Sequence, residues 1–163
     1  MSNLDKPKSG LGRPSQTALS GPQKALQAIE DHLLTLPQGD PQTTHHIADG
    51  VYLRKIIIPE GAAVTGAVHL TETLDIMVYG DLTVVTEQGK KRITEPGSIF
   101  VSKPGLKKVA YAHKETMWIT AHAVSEIKDK TLEEIEAELW VDSYHDYARY
   151  LSVAKSDFKD KGQ

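Results

Sequence analysis

The chain contains no cysteine. That excludes a disulfide framework and any thiolate metal site, and it suits a protein that works in a reducing cytosol or in a particle assembled there. No apolar run approaches the roughly 20 residues that a membrane helix needs, and the N-terminus carries no apolar stretch of the secretory type. An excess of positive charge is also missing. The formal net charge of −3 leaves no general basic face for nucleic acid. The one basic cluster, Lys90, Lys91 and Arg92, falls at an expected hairpin turn and reads as a solvated turn rather than a phosphate site. No Gly-rich phosphate loop is present, and Ser98, Ser102 and Ser125 lack a sequence context that would activate a nucleophile. The expected partners therefore include neither a membrane nor a nucleic acid.

What is present divides the 163 residues into four stretches. Residues 1–20 are rich in Ser, Gly and Pro and show no apolar period, the composition of a flexible arm that orders only against another chain. A helix is expected over 21–37, capped by Ser20 or Gly21, with Pro22 in its first turn and Pro37 as its stop. Leu26, Ile29, Leu33 and Leu36 form its apolar stripe, suited to the body of the protein or to a neighbouring subunit. From about 44 the period becomes two. Strands are expected at 51–57, 62–68, 74–79, 82–87, 92–94, 98–102, 107–112 and 116–123, separated by Gly, Pro and Asp turn signals. About eight short strands without intervening helices, over 44–126, mark a mainly β chain that closes as an antiparallel barrel or sandwich. Val68, Ile76, Val78, Val84, Ile99, Val101 and Ile119 are its expected buried residues. Helices return over 131–155. Thr131 and Glu134 make a capping box, and Leu132, Ile135 and Leu139 form a stripe. A second short helix, capped by Asp142 or Ser143, places Tyr144, Tyr147 and Leu151 on one face, with Tyr150 beside them. This face and the 21–37 stripe are the candidate interfaces.

Within 59–123 the punctuation has a recognisable layout. Pro59-Glu60-Gly61, His69 and Gly80 stand where the first cupin motif has its landmarks, and Gly97 with Pro104-Gly105 stands where the second does. Over about 50–140 the chain resembles the cupins, and its stretch SKPGLKKVAYAHKETMWITAHA (102–123) resembles small single-domain cupins encoded by tailed bacteriophages. The resemblance implies a double-stranded β-helix, or jelly roll, with a metal in the lumen held by His and Glu of the two motifs. The ligand positions have changed here: Ala67, Thr73 and Val109 stand where two His and the Glu are expected, and His69 alone remains. No cofactor is expected; if one is bound, it is a divalent transition metal.

Strand parity offers replacements. Ala63, Thr65, Ala67 and His69 share a face, as do Thr73, Asp75, Met77 and Tyr79; so do Val109, Tyr111 and His113, and Trp118, Thr120 and His122. Pointing inward, they would put His69, Asp75, Tyr111, Trp118 and His122 in the lumen. His69, Asp75 and His122 are the ingredients of a facial-triad metal site, or of a hydrogen-bonded cluster without metal. The adjacent His45 and His46 point to opposite faces and make a poor chelate. Three functions follow as expectations. The first is a non-catalytic phage protein that serves as an interaction module, as a homo-oligomer or with other phage proteins, in the host cytoplasm during infection or in the virion. The second is a binder of a small ligand, a nucleotide or a sugar, using Tyr111, Trp118, Thr120, His122 and Lys107, with Lys108 also near the mouth. The third is a metal-dependent oxygenase or isomerase that uses His69, Asp75 and His122.

Overall fold

A computed structural model describes residues 18–160, the last five by backbone alone. The arm over 1–20 thus lies almost wholly outside the described residues. Helix α1 spans Gly21–Leu33. Ser20 caps it in a capping box with Gln23, and Pro22 sits in its first turn. It ends before the expected Pro37, because the Thr35 hydroxyl and the Gln38 amide take up the carbonyls of His32, Leu33 and Leu36. Those bonds satisfy the last turn without further helix.

The chain then forms strands β1 (Gln42–Ala48), β2 (Val51–Ile58), β3 (Ala63–Thr65), β4 (Val68–His69), β5 (Thr73–Thr86), β6 (Gly89–Ile93), β7 (Ser98–Ser102) and β8 (Val109–Ala123). Helix α2 (Leu132–Leu139) follows, then β9 (Trp140–Val141) and helix α3 (Tyr144–Asp160). Every strand pairing is antiparallel. The expected mainly β architecture, an antiparallel barrel with helices on either side in sequence, is what the chain forms. The capping box of Thr131 and Glu134 starts α2 as expected, and α3 runs longer than the short helix foreseen.

Two strands are longer than the sequence indicated. The expected pairs 74–79 with 82–87, and 107–112 with 116–123, are single strands, β5 and β8, which pair with each other from Thr73–His122 to Val85–Val109. Each belongs to both walls of the barrel. In one wall the N-terminal half of β5 and the C-terminal half of β8 lie between β7 and β2, with β1 outside β2. In the other, their remaining halves lie between β6 and β3. The bend between walls sits at Tyr79–Asp81, where the β5–β8 register slips. Gly80 makes the bend possible. Its φ is +125°, and a Cβ there would lie 2.6 Å from the Thr116 backbone Cα. Only a residue without a side chain passes so close.

The bulge also reverses side-chain parity along β5. Thr73, Asp75 and Met77 point inward before it, Leu82 and Val84 after it. Strand β8 keeps its parity, so Ala110, Ala112, Thr116, Trp118 and His122 all face inward. The closed end of the lumen packs Ile58, Met77, Leu82, Val84, Ile93, Ala110, Ala112 and Trp118 into one core. A second cluster joins Tyr52 to Ile135 and Leu139 of α2. Val68 and Val84 are buried as expected, and Ile76 and Ile119 partly so. Val78, Ile99 and Val101 correct the reading: they are 36%, 62% and 57% exposed, because their strands turn Met77, Phe100 and Ser102 inward instead. Lys90, Lys91 and Arg92 also lie on β6 rather than in a turn, with Arg92 bidentate on Asp81.

Candidate functional site: the polar end of the lumen

Cross-strand register stacks the inward residues in rows. Tyr52, His122, Thr73 and Ser102 form one row, and Arg54, Thr120, Asp75 and Phe100 the next; Ile56, Trp118, Met77 and Ser98 form a third. The lumen is therefore apolar at one end and polar at the other. Between the ends lies a cavity of about 120 Å³ lined by Arg54, Ala67, His69, Asp75, Lys108 and Trp118 among others. A wider space of about 410 Å³ shares Arg54, His69 and Thr120 with it and adds His45, His122 and Trp140 at the mouth. The wider space falls within the roughly 300–1,000 Å³ of small-molecule sites.

Asp75 is wholly buried at the centre. One carboxylate oxygen accepts from Trp118 Nε1 at 3.2 Å and from the Thr120 hydroxyl at 2.8 Å. The other accepts from the Ser102 hydroxyl and is ion-paired to Lys108 Nζ at 2.7 Å. Burial alone would raise the Asp75 pKa, but Lys108 and these donors outweigh it and hold the carboxyl below its usual range. The ring of His122 lies 5.2 Å from that of His69, 5.5 Å from Trp140 and 5.7 Å from Tyr52, centroid to centroid. Burial pushes His69 down to about 3 and His122 to about 4, so both imidazoles are neutral at physiological pH. The Nδ1 of His122 is buried without a hydrogen-bond partner. The guanidinium of Arg54 sits 6.0 Å from the Trp140 ring centre and has no carboxylate within ion-pair distance among the described residues.

The C-terminal segment completes the mouth. Strand β9 pairs with β4, setting Trp140 beside His69. Glu136 of α2 accepts from the Tyr52 hydroxyl at 2.7 Å, and that hydroxyl oxygen lies 2.8 Å from His45 Nδ1. His46 stands on the opposite face of β1, as the alternation required.

Of the candidate ligand contacts, Trp118, Thr120 and His122 lie in the lumen with His69 and Asp75. Two do not. Tyr111 is 44% exposed, because the continuity of β8 fixes it on the outer face, where it packs edge-on to His113. Lys107 is buried, but as a tie between elements: its ammonium pairs with Glu30 of α1 at 2.8 Å and donates to the Asp142 carbonyl at 3.1 Å. The lysine of the lumen is Lys108. His69, Asp75 and His122 are neighbours without forming a triad, because both oxygens of Asp75 are already engaged. Among the described residues no group of three such donors is placed to hold a metal. A metal at Asp75 would have to displace Lys108 and at least one hydrogen bond.

The candidate interface residues are also divided. Leu26 is buried against the chain's own barrel, and Tyr144 is buried with its hydroxyl on Glu87. Tyr147 fills the space beside Gly105, where a Cβ would come within 2.8 Å of its hydroxyl. Leu33 is half-buried, and Ile29, Leu36 and Leu151 face outward. Arg54, Tyr52, Glu136 and Trp140 were absent from the sequence-derived site. For Arg54 a signal existed: Tyr52, Arg54, Ile56 and Ile58 alternate along β2, so a strand with an apolar inner face carries one charge on it.

No family model matches the chain, and no curated protein matches it. Solved structures similar to it include a cupin domain from Bordetella pertussis, 14% identical with a TM-score of 0.45, covering 55% of this chain and 99% of that one. A cupin-2 domain protein from Shewanella frigidimarina is 13% identical with a TM-score of 0.42, covering 59% and 92%. KdgF from a Halomonas species is 17% identical with a TM-score of 0.45, covering 55% and 89%. At such identities the likeness is one of fold.

Proposed function

We propose that this chain is a cupin-type barrel protein that binds a small organic anion in the polar end of its lumen. The observation that carries this reading is Arg54. The other lumen charge pair, Asp75 and Lys108, is internally compensated, whereas Arg54 lines both cavities with no carboxylate partner among the described residues. A partly buried guanidinium without a counter-charge is a ready anion site, and its planar fork suits a carboxylate or phosphate held bidentately. Trp140 and Trp118 offer apolar walls for the rest of the ligand. The neutral imidazoles of His69 and His122 supply donors and acceptors without adding charge. Binding rather than turnover is favoured because the central carboxylate is spent on Lys108.

The test is a thermal-shift and calorimetric titration with small organic carboxylates, phosphate esters and uncharged sugars. An anion should raise the melting temperature by a few degrees at about 100 times its Kd, and Arg54→Gln should abolish the shift. Equal shifts from uncharged sugars, or an unchanged response in Arg54→Gln, would refute the reading.

A second reading is the interaction module, encoded by a tailed phage and acting in the infected host's cytoplasm or in the virion. Its interaction part is favoured by the aliphatic outer face of the β7–β5–β8–β2 wall, where Leu74, Ile99 and Val101 are left exposed among the described residues. Its test is whether the protein sediments with purified particles or stays in the lysate.

A further inference from the structure

On the β5 side, one wall of the barrel ends in β6 and the other in β7. Between these two strands lies a second chamber of about 280 Å³. It meets the mouth cavity at Asp75, Val84, Lys108 and Trp118, whereas Arg54 and His69 line the mouth cavity and not this one. Lys90, Lys91, Phe100 and Gln88 belong to its own lining. Lys91 stands opposite Val84 in the β5–β6 ladder, and Val84 is a core residue, so Lys91 is on the inner face of β6. Its ammonium lies 4.4 Å from the centre of the Phe100 ring, which stacks parallel to Trp118 at 6.3 Å. Three lysines thus line the chamber against one carboxylate, Asp75, in a chain of net charge −3. Both oxygens of Asp75 are engaged. Lys90 and Lys91 have no carboxylate within ion-pair distance among the described residues. Lys108 gives one ammonium proton to Asp75 and keeps two for another acceptor.

We propose that this side chamber is a second anion site, and that it takes a tetrahedral dianion of the phosphate type. The chemistry of the donors selects the ligand. Lysine ammoniums are compact point charges, which suit a doubly charged tetrahedral group; the planar fork of Arg54 matches a carboxylate edge instead. A dianion also balances the excess of cations in the lining. The Gln88 side-chain amide, without a hydrogen-bond partner among the described residues, adds a neutral donor. Val84, Ile93 and Leu106 close the rest of the chamber with apolar wall. The basic cluster that the sequence placed in a solvated turn thereby gains a use, because β6 turns Lys91 inward. The site does not rest on the mouth reading, since Arg54 is not among its lining residues.

The experiment follows the backbone amide resonances of the full chain as inorganic phosphate, and separately glycerol phosphate, is added at constant ionic strength. The titration runs to about 10 mM, because two charge-assisted contacts give about millimolar affinity. Arg54→Gln is titrated beside the parent: phosphate esters fit either chamber, whereas small carboxylates report on the mouth. Saturable shifts at Lys91, Phe100 and Lys108 are expected, equal in Arg54→Gln and the parent. Lys91→Gln should weaken them about 10-fold, with an unchanged far-ultraviolet dichroism spectrum, and Lys91→Arg should retain them. Binding of either compound supports the site, and the tighter one tells a free ion from an esterified one. Four results overturn the proposal: no saturation at the highest concentration, the same shifts with chloride, their loss in Arg54→Gln, or an unchanged response in Lys91→Gln.

Discussion

At the lumen's polar end, burial keeps the imidazoles of His69 and His122 neutral down to about 3 and 4. In the unfolded chain they take up protons near the ordinary value of 6.5. As the pH falls below 6.5, the unfolded state therefore binds protons that the folded state refuses, and stability is lost. Asp75 acts in the same direction at lower pH: its folded pKa is depressed, so its contribution is lost as pH falls from the ordinary carboxylate range through the folded value. Urea denaturation at a series of pH values should show a loss of about 2 to 4 kcal/mol between pH 6.5 and 4.5. His122→Gln should flatten that slope, and a stability independent of pH in this window would contradict the assignment. Asp75→Asn should cost about 3 kcal/mol or more, because it leaves the Lys108 ammonium, only 16% exposed, without its counter-charge. Asp75 and His122 were legible in the sequence, since each is a polar residue at inward parity among apolar ones. Tyr111 was misplaced because parity was counted separately for two segments that form one strand, and Lys107 because charge alone does not distinguish a buried tie from a ligand contact.

For the elements, Gly80 and Lys107 decide how the pieces join. Gly80→Ala should destabilise by about 3 kcal/mol, because the added Cβ meets Thr116 and the positive φ is strained for any other residue. Thr116→Ala should not rescue it, since the backbone Cα at 2.6 Å remains in the way. Lys107→Met should cost about 3 kcal/mol by stranding Glu30 near the α1 C-terminus. Limited proteolysis should then cut near residue 35 before the barrel opens, whereas a variant as resistant as the parent would show that Leu26 and the Thr65–Glu30 hydrogen bond hold α1 without the ion pair. The capping signals of α1 and α2 were legible because they are local. The joins within β5 and β8 were not, because Gly80-Asp81 and His113 look like turns and act as a bulge and an uninterrupted strand. Strand β9 was invisible for a related reason: two residues between helices become a strand only when β4 is there to pair with them.

For the whole molecule, the mainly β architecture was legible from the switch of period near 44 and from the turn punctuation, both set by backbone chemistry. Which faces the helices cover was not, because that depends on Glu30, Lys107 and Glu136 meeting partners far away in sequence. The sequence pattern also marked Val78, Ile99 and Val101 as core, since an aliphatic residue on a strand looks the same whether it points into the lumen or out of it. The two long strands have one more consequence. Because β5 and β8 form a single ladder that runs through both walls, neither wall can open without breaking the other's central pairing. The barrel should behave as one cooperative unit, without a separable half. In native-state amide exchange, Ile76 in one wall and Val84 in the other should share one opening free energy, equal to that of global unfolding. Their denaturant dependence should also coincide. Two distinct exchange classes, one per wall, would show instead that the ladder yields at Gly80 and that the molecule melts in halves.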